Sequence, residues 1–304
     1  TGLSEDDLCE IIGEYVGLIV RSATKVTQRV IESGTNLRVI GRAGAGVDNI
    51  DLDAATQRGI VVMNAPGANT ISTAEHAMAM LLSLSRNIPQ ATASVKAGAW
   101  ERSKYTGVEL DGKVLGIIGV AGRVGQQVVR RARAFGMTVL GADPFLSDDL
   151  ARQLQIESAS YDEIFAESDY ITLHTVLTDQ THHLISSQAL AQCKDGVRII
   201  NCARGELIDE EALVEAIDSG KVAGAALDVF NEEPPSADHP LVKRPEVICT
   251  PHLGASTFEA QEKVARQIAV DLCDALQGKP VQSAINLPPI DPEYFETISP
   301  YLLL

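Results

Sequence analysis

Three charged residues stand at matched places in the sequence: Arg204 in N-C-A-R-G-E-L-I-D-E, Glu233 in L-D-V-F-N-E-E-P-P and His252 in T-P-H-L-G-A-S-T. Each lies just beyond a short apolar run of strand character, at 197–200, 223–227 and 247–248. Open parallel sheets bind ligands outside the carboxyl ends of their strands. A cation, a carboxylate and an imidazole would then converge on one crevice. A guanidinium fork can grip a substrate carboxylate, and an imidazole can accept and return a proton near neutral pH. A carboxylate beside the imidazole would favour its charged form and orient the ring. The trio suits proton transfer at an anionic, oxygen-bearing substrate. Plainer readings exist for each: a surface salt bridge for Arg204, a solvated acidic turn for Glu233, a structural loop residue for His252. Glu232 competes with Glu233, and spacing alone does not separate them.

The six histidines are His76, His174, His182, His183, His239 and His252. Only His252 combines a strand end, a preceding proline and a Gly-containing loop into a capped helix. His76 reads as a packed residue on an Ala/Met-rich helix, and His182 and His183 as solvated loop residues. His174 ends a strand and would help shape a neighbouring cleft.

That cleft is signalled by G-V-A-G-R-V-G, with glycines at 119, 122 and 125 between a strand and a helix. Glycines let the backbone turn tightly against a pyrophosphate, and the helix that follows offers free N–H groups. The spacing is one residue longer than G-x-G-x-x-G, and a plain strand-to-helix turn is the competing reading. Asp143 follows Gly125 by 18 residues at the end of the next strand. A carboxylate there accepts ribose hydroxyls and repels a 2′-phosphate, which favours NAD over NADP. Its plainer reading is a turn-forming Asp before Pro144.

Elements that would position these residues alternate along the chain. Strand-like runs at 17–20, 37–40 and 60–63 with helical stretches between them predict a small parallel α/β domain. Ser72–Arg86 reads as one long helix, closed by Ile88-Pro89. Six further strands are predicted at 114–118, 138–142, 170–174, 197–201, 223–227 and 246–250, the pattern of a doubly wound dinucleotide fold. A last helix from Ser256 to about Leu276 would open on a capping box, Ser256 with Glu259, and carry the chain back to the first domain. The expected layout is a Rossmann-type domain at 69–255 and a smaller flavodoxin-like α/β domain at 1–68 and 256–304. Ser4 reads as the N-cap of a first helix, before which a strand is expected. The terminal Leu302-Leu303-Leu304 is apolar, so the natural protein is expected to continue in both directions.

Composition narrows the function classes. The 304 residues suffice for about two domains. The apolar share is 45% with only 4% aromatic, which suits parallel sheets buried on both faces. A formal net charge of −16 disfavours nucleic-acid binding, which needs basic surface. The sequence has no apolar run of spanning length and no secretory signal pattern. Five cysteines (Cys9, Cys193, Cys202, Cys249, Cys273) lack metal-like spacing and suggest reduced thiols in a cytoplasmic or organellar protein.

Five segments together resemble the NAD-dependent D-2-hydroxyacid dehydrogenases: G-L-I-V-R-S-A-T-K-V-T, G-R-A-G-A-G-V-D-N-I-D, N-C-A-R-G, A-A-L-D-V-F-N-E-E-P-P and P-H-L-G-A-S-T. The resemblance runs over nearly the whole chain, and is closest to members acting on a phosphorylated 2-hydroxy acid in amino-acid biosynthesis. It implies Arg204, Glu233 and His252 as the catalytic residues and NAD as cofactor. It further implies Arg123 and Val124 along the pyrophosphate, Asp228 facing the nicotinamide carboxamide, and Thr175, Cys202, Ala203, Gly254 and Ala255 lining the cofactor cleft. Arg21 and the loop Ala43, Gly44, Ala45, Gly46 would face the substrate. Arg21, Arg42, Arg102 and Lys104 are the basic residues expected to meet a phosphate. Trp100–Tyr105 resembles a subunit-interface segment, implying a homodimer or homotetramer. Three positions depart from the family pattern: the longer glycine loop, Val176 in place of a proline, and Glu206 in place of a second glycine. The same trio would serve a reductase of glyoxylate, hydroxypyruvate or another 2-keto acid. A more remote alternative is an NAD-sensing co-repressor that binds partner peptides.

Overall fold

The computed structural model describes residues 3–287 and consists of two compact units. One comprises the chain up to Asn69 together with the residues from Thr257 onward; the other runs from Thr70 to Ser256. The apolar end at 302–304 lies outside the described residues.

In the first unit, α1 (Glu5–Ile11), β1 (Gly17–Val20), α2 (Gln28–Ser33), β2 (Val39–Arg42), α3 (Leu52–Gln57) and β3 (Val61–Asn64) alternate. Their strands pair in parallel in the order β1-β2-β3. Helix starts follow local chemistry. Ser4 caps α1 in a reciprocal box with Asp7, and Thr27 and Asp51 cap α2 and α3 through side-chain oxygens. These caps satisfy N–H groups that a helix end leaves unpaired. Strands β2 and β3 begin later than the apolar runs suggest. Leu37 is drawn into the turn that ends α2, where its N–H bonds Gly34 O.

The second unit opens with α4 (Thr70–Arg86) and α5 (Ile88–Lys96). Ile88-Pro89 thus starts a helix instead of closing one. Proline costs nothing in a first helical turn, where its missing N–H would have no partner. Then follow β4 (Val114–Ile118), α6 (Arg123–Ala134), β5 (Thr138–Ala142), α7 (Asp148–Leu154), β6 (Glu157–Ser158), α8 (Tyr161–Glu167) and β7 (Tyr170–Leu173). The series ends with α9 (Ser187–Gln192), β8 (Val197–Asn201), α10 (Glu210–Asp218), β9 (Val222–Leu227) and β10 (Val247–Cys249).

Among the described residues these strands form one parallel sheet of seven, ordered β10-β9-β8-β7-β4-β5-β6. Six were expected from sequence. The seventh, β6, is a two-residue exposed edge without apolar residues. Strand order reverses at β4, which lies between β5 and β7. Ligands of doubly wound sheets sit at such a switch point, beyond the strand ends. One face of the sheet packs around Ile171, Leu173 and Ile199, the other around Leu115, Ile117 and Ile200. Adjacent strand residues thus feed opposite cores.

Helix α11 (Phe258–Leu276) belongs to the first unit and packs on its sheet. Ile268 is fully buried there among Val39, Val61 and Met63, worth about 1.5–3 kcal/mol for such a side chain. A Cβ on Gly41 would lie 2.8 Å from Ile268 Cγ1, so the close helix–sheet contact depends on that glycine. The expected capping box at Ser256 is not formed. Thr257 is the N-cap and accepts from Ala260 N, because Ser256 N–H is used in a turn to Leu253 O.

Candidate active site

The glycine loop leaves β4 at the switch point. Gly119 has φ +89, and a Cβ there would lie 2.5 Å from the carbonyl of His174. The backbone of His174 and Thr175 can therefore press against the loop. Gly125 sits in the first turn of α6, where a Cβ would come 2.4 Å from Gly119 O. The extra residue is absorbed by a turn: Gly122 N–H bonds Gly119 O at 3.3 Å, and Val120 turns fully into the core.

Gly122 is the N-cap of α6 and supplies no capping side chain, while Arg123 begins the helix in solvent. The N-terminus of this 12-residue helix thus has no capping side chain from its N-cap residue. That cradle fits a pyrophosphate. Asp143 Oδ2 accepts from Ala121 N at 3.0 Å and Oδ1 from Phe145 N at 2.8 Å. The carboxylate is thereby fastened to the glycine loop, and each oxygen keeps a lone pair for a ribose hydroxyl. The residues present fit a dinucleotide.

The trio lies within this same unit, on loops after β8, β9 and β10. His252 Nδ1 and Glu233 Oε2 are 2.7 Å apart, and Glu233 Oε1 accepts from Phe230 N at 3.2 Å. Glu233, and not Glu232, meets the imidazole. The hydrogen bond to Glu233 raises His252 above its ordinary pKa; partial burial and the positive charge of Arg204 oppose that rise. Burial pulls the Glu233 carboxyl upward, but the bond and charge of His252 outweigh it, so the net direction is down. The contact favours the charged form of the imidazole and commits Nδ1 to Glu233, which leaves Nε2 to exchange a proton with a ligand.

Arg204 stands within electrostatic reach of His252. Its loop is shaped by Asn201, a buried side chain that accepts from Ala203 N and donates to Arg204 O. Gly205 follows, and a Cβ there would fall 2.0 Å from the Phe230 carbonyl carbon. The Arg204 loop thereby lies directly against the loop that carries Glu233. Glu206, one of the departures, engages His183 N–H through its backbone oxygen at 2.8 Å, and Val176 is 72% exposed.

His252 itself adopts φ +54, a left-handed conformation that strains a residue with a Cβ. Asp228 holds it there. The Asp228 carbonyl accepts from His252 N at 2.9 Å. Its Oδ1 accepts from Leu253 N at 2.7 Å and Thr250 Oγ1 at 2.5 Å, and its Oδ2 from Gly254 N at 2.8 Å. His76 Nε2 completes the set, 3.0 Å from Thr250 Oγ1 and 3.1 Å from Asp228 Oδ1. Burial would raise Asp228, but these bonds, led by His76, keep it below the ordinary value. Asp228, which the family resemblance implies facing the nicotinamide carboxamide, anchors the His252 turn through both carboxylate oxygens.

His76 and Thr250 are the members that sequence reasoning missed. A histidine facing the core of an apolar helix gives no signal of a partner until β9 and β10 are placed beside it. Cys202 joins them, with its sulfur, the His76 ring and Asp228 all within 4.8 Å. Burial pushes the Cys202 thiol far up, and the Asp228 oxygens are already taken, so the cluster reads as a hydrogen-bonded core. His174, bonded to Thr172 Oγ1 at 3.0 Å, is pushed by burial down to about 4 and forms a neutral wall. Ala203 and Ala255 are half-buried near these loops.

Arg21 and Ala43–Gly46 belong to the other unit, after β1 and β2. A Cβ on Gly44 would lie 1.6 Å from Arg42 Nη1. Gly44 is thus the reason that the Arg42 guanidinium can lie across this loop, where it also donates to Ala43 O.

The family described as "D-isomer specific 2-hydroxyacid dehydrogenase, NAD binding domain" matches residues 78–254. The chain belongs to this family. Its members include the D-3-phosphoglycerate dehydrogenase of Archaeoglobus fulgidus, 52% identical over 304 residues, which are all of this chain and 58% of that protein. The D-3-phosphoglycerate dehydrogenase of Bacillus subtilis is 51% identical, over 98% of this chain and 59% of its own length. The chain thus spans about half the length of the curated relatives it matches. Among solved structures, the TT0316 protein of Thermus thermophilus superposes with a TM-score of 0.86 at 35% identity, covering 94% of this chain and 90% of that one. D-lactate dehydrogenase from Aquifex aeolicus, complexed with NAD and lactic acid, gives 0.79 at 32% identity, covering 91% and 86%. The matched region is the NAD-binding domain of that family, so the cofactor is NAD.

Proposed function

We propose that the chain catalyses NAD-dependent oxidation of 3-phospho-D-glycerate to 3-phosphohydroxypyruvate, the entry step of phosphorylated serine synthesis. The observation that carries this is the His252–Glu233 pair at 2.7 Å with Arg204 in reach, beyond the carboxyl ends of a parallel sheet. The name D-3-phosphoglycerate dehydrogenase, borne by relatives at about half identity, supports the substrate.

Arg204 binds the substrate carboxylate and polarises the developing carbonyl oxygen. His252 Nε2 accepts the hydroxyl proton. Glu233 holds the imidazole by Nδ1 and stabilises the charge that it gains. NAD, when bound, takes the hydride from the substrate's alpha carbon. Asp143 receives the adenosine ribose, and the α6 N-terminus with Arg123 and Val124 receives the pyrophosphate. Residues 69–255 form the cofactor domain and the remainder the substrate domain. Arg21, Arg42 and the Ala43–Gly46 loop meet the substrate, with Arg102 and Lys104 as further basic residues for the phosphate.

The chain works as a homodimer or homotetramer in the cytoplasm. In support, α5 buries none of its residues, and Trp100 nearby is 78% exposed. Among the described residues no helix is long and apolar enough to cross a membrane. Free cysteines suit a reducing compartment.

A second reading, a reductase of unphosphorylated 2-keto acids, has one observation in its favour. A glyoxylate reductase structure superposes with a TM-score of 0.83 at 34% identity. The test is NADH oxidation with 3-phosphohydroxypyruvate beside hydroxypyruvate and glyoxylate. The proposal expects a strong preference for the phosphorylated substrate; equal or reversed preference moves the chain to the second reading.

A further inference from the structure

Glu233 does not reach His252 from a regular element. It sits on an exposed turn after β9, and what fixes that turn lies elsewhere. Glu210, the first residue of α10, accepts the Asn231 backbone N–H at 3.0 Å through Oε1. Its Oε2 lies 3.2 Å from His239 Nε2, and both side chains are more than four-fifths buried, at 17% and 16% exposure. His239 Nδ1 accepts from Leu241 N at 3.3 Å, so Nε2 is the nitrogen that carries the proton toward Glu210. The His239 ring also meets Phe230 edge-on, with centroids 5.4 Å apart. Phe230 N–H in turn donates to Glu233 Oε1. A buried acid and a ring of set tautomer thus grip the two residues that introduce Glu233.

We infer that Glu210 and His239 are positioning residues, holding the Phe230–Asn231 backbone so that Glu233 meets Nδ1 of His252. The contact with Gly205 adds a rigid floor, since the Phe230 backbone has nowhere to retreat on that side. Neither residue belongs to the trio or to the glycine loop, and their side-chain partners are Asn231, Leu241, Phe230 and each other. The effect passes through Glu233, so it should be read at His252, which also feels Asp228 and Arg204. The inference rests on the proposed proton transfer for its kinetic meaning, but not for its test.

The imidazole C–H resonances of His252 are titrated by NMR in the full chain carrying His239→Ala, His239→Gln or no change. The Gln amide N–H can replace the ring's Nε2–H toward Glu210. In His239→Ala the His252 midpoint should move down toward the ordinary 6.5, and His239→Gln should return most of the shift. Turnover should fall about 10- to 100-fold in His239→Ala, the cost of a small misplacement, with KM for NAD within about twofold as for a loss confined to the reacting groups. In a Glu233→Gln background, adding His239→Ala should change neither quantity further. Should His239→Ala fail to fold, Glu210→Gln, which turns a donor toward His239, is read by the same titration. An unmoved His252 midpoint in a folded variant, or losses that multiply in the Glu233→Gln background, would overturn the inference. Absence of turnover in the unaltered chain would instead strike the proposed function, leaving the titration to decide this one.

Discussion

The glycine loop and the His252 turn both follow strands of the seven-stranded sheet, β4 and β10, yet they are built in opposite ways. The loop at Gly119–Gly125 is defined by missing atoms: a Cβ at position 119 or 125 would lie within 2.5 Å of backbone. The His252 turn is defined by added ones. A left-handed, strained histidine is held by the Asp228 carbonyl, both carboxylate oxygens of Asp228, Thr250 and His76. A site made of backbone should fail when atoms are inserted. A site made of side-chain hydrogen bonds should fail when atoms are removed. Geometry for chemistry needs preorganised polar groups, whereas a pyrophosphate needs room and free N–H groups.

The largest break in this contrast is His252→Ala. It should lower turnover by about 10²–10⁴-fold, the usual reach of general acid–base catalysis, while NAD affinity by fluorescence titration stays close to the original. Next comes Gly125→Ala, with the opposite signature. Its methyl collides with backbone and should cost about 1–3 kcal/mol of stability in denaturant unfolding, together with a weakened hold on NAD. Retained stability and affinity in that variant would mean that the loop has slack which its geometry denies. Thr250→Val removes one of the donors to the Asp228 carboxylate and leaves Oδ1 with Leu253 N and His76. It should cost about 1–3 kcal/mol and reduce turnover more than NAD affinity. The smallest effect is expected from Asp143→Ser, which should narrow the preference for NAD over NADP; an unchanged ratio in steady-state kinetics would remove Asp143 from the ribose.

The same contrast explains what sequence could convey. Strands β4, β5 and β8 match the apolar runs to the residue, because runs buried on both faces leave little ambiguity. The glycine loop was legible for a related reason, as glycines mark where side chains are forbidden. Edge strand β6 was not, since two exposed polar residues carry no burial pattern. Ser256 and Thr257 are equal candidates as N-cap, and only the turn back to Leu253 decides between them. The trio's members were visible as strand-end charges, but their partners were not. Glu232 and Glu233 are separated by the path of the Phe230–Glu233 turn, which depends on Glu210 and His239. His76 and Asp228 lie 152 positions apart in the chain and meet only when α4 packs beside β9 and β10. Long-range hydrogen bonds of this kind leave no periodicity to read.

Tuning of His252 by Glu233 is tested most directly by the pH dependence of kcat/KM for the proposed NAD-dependent oxidation. Oxidation needs the neutral imidazole. Because the bond to Glu233 raises His252 above 6.5, activity should climb as pH rises through a midpoint above that value. The reverse reduction needs the imidazolium and should decline through the same midpoint. In Glu233→Gln the raising partner is gone, so the oxidation midpoint should move to lower pH while the plateau rate falls. A Glu233→Gln profile that overlays the original would contradict the account, since the 2.7 Å contact would then carry no weight in the proton transfer.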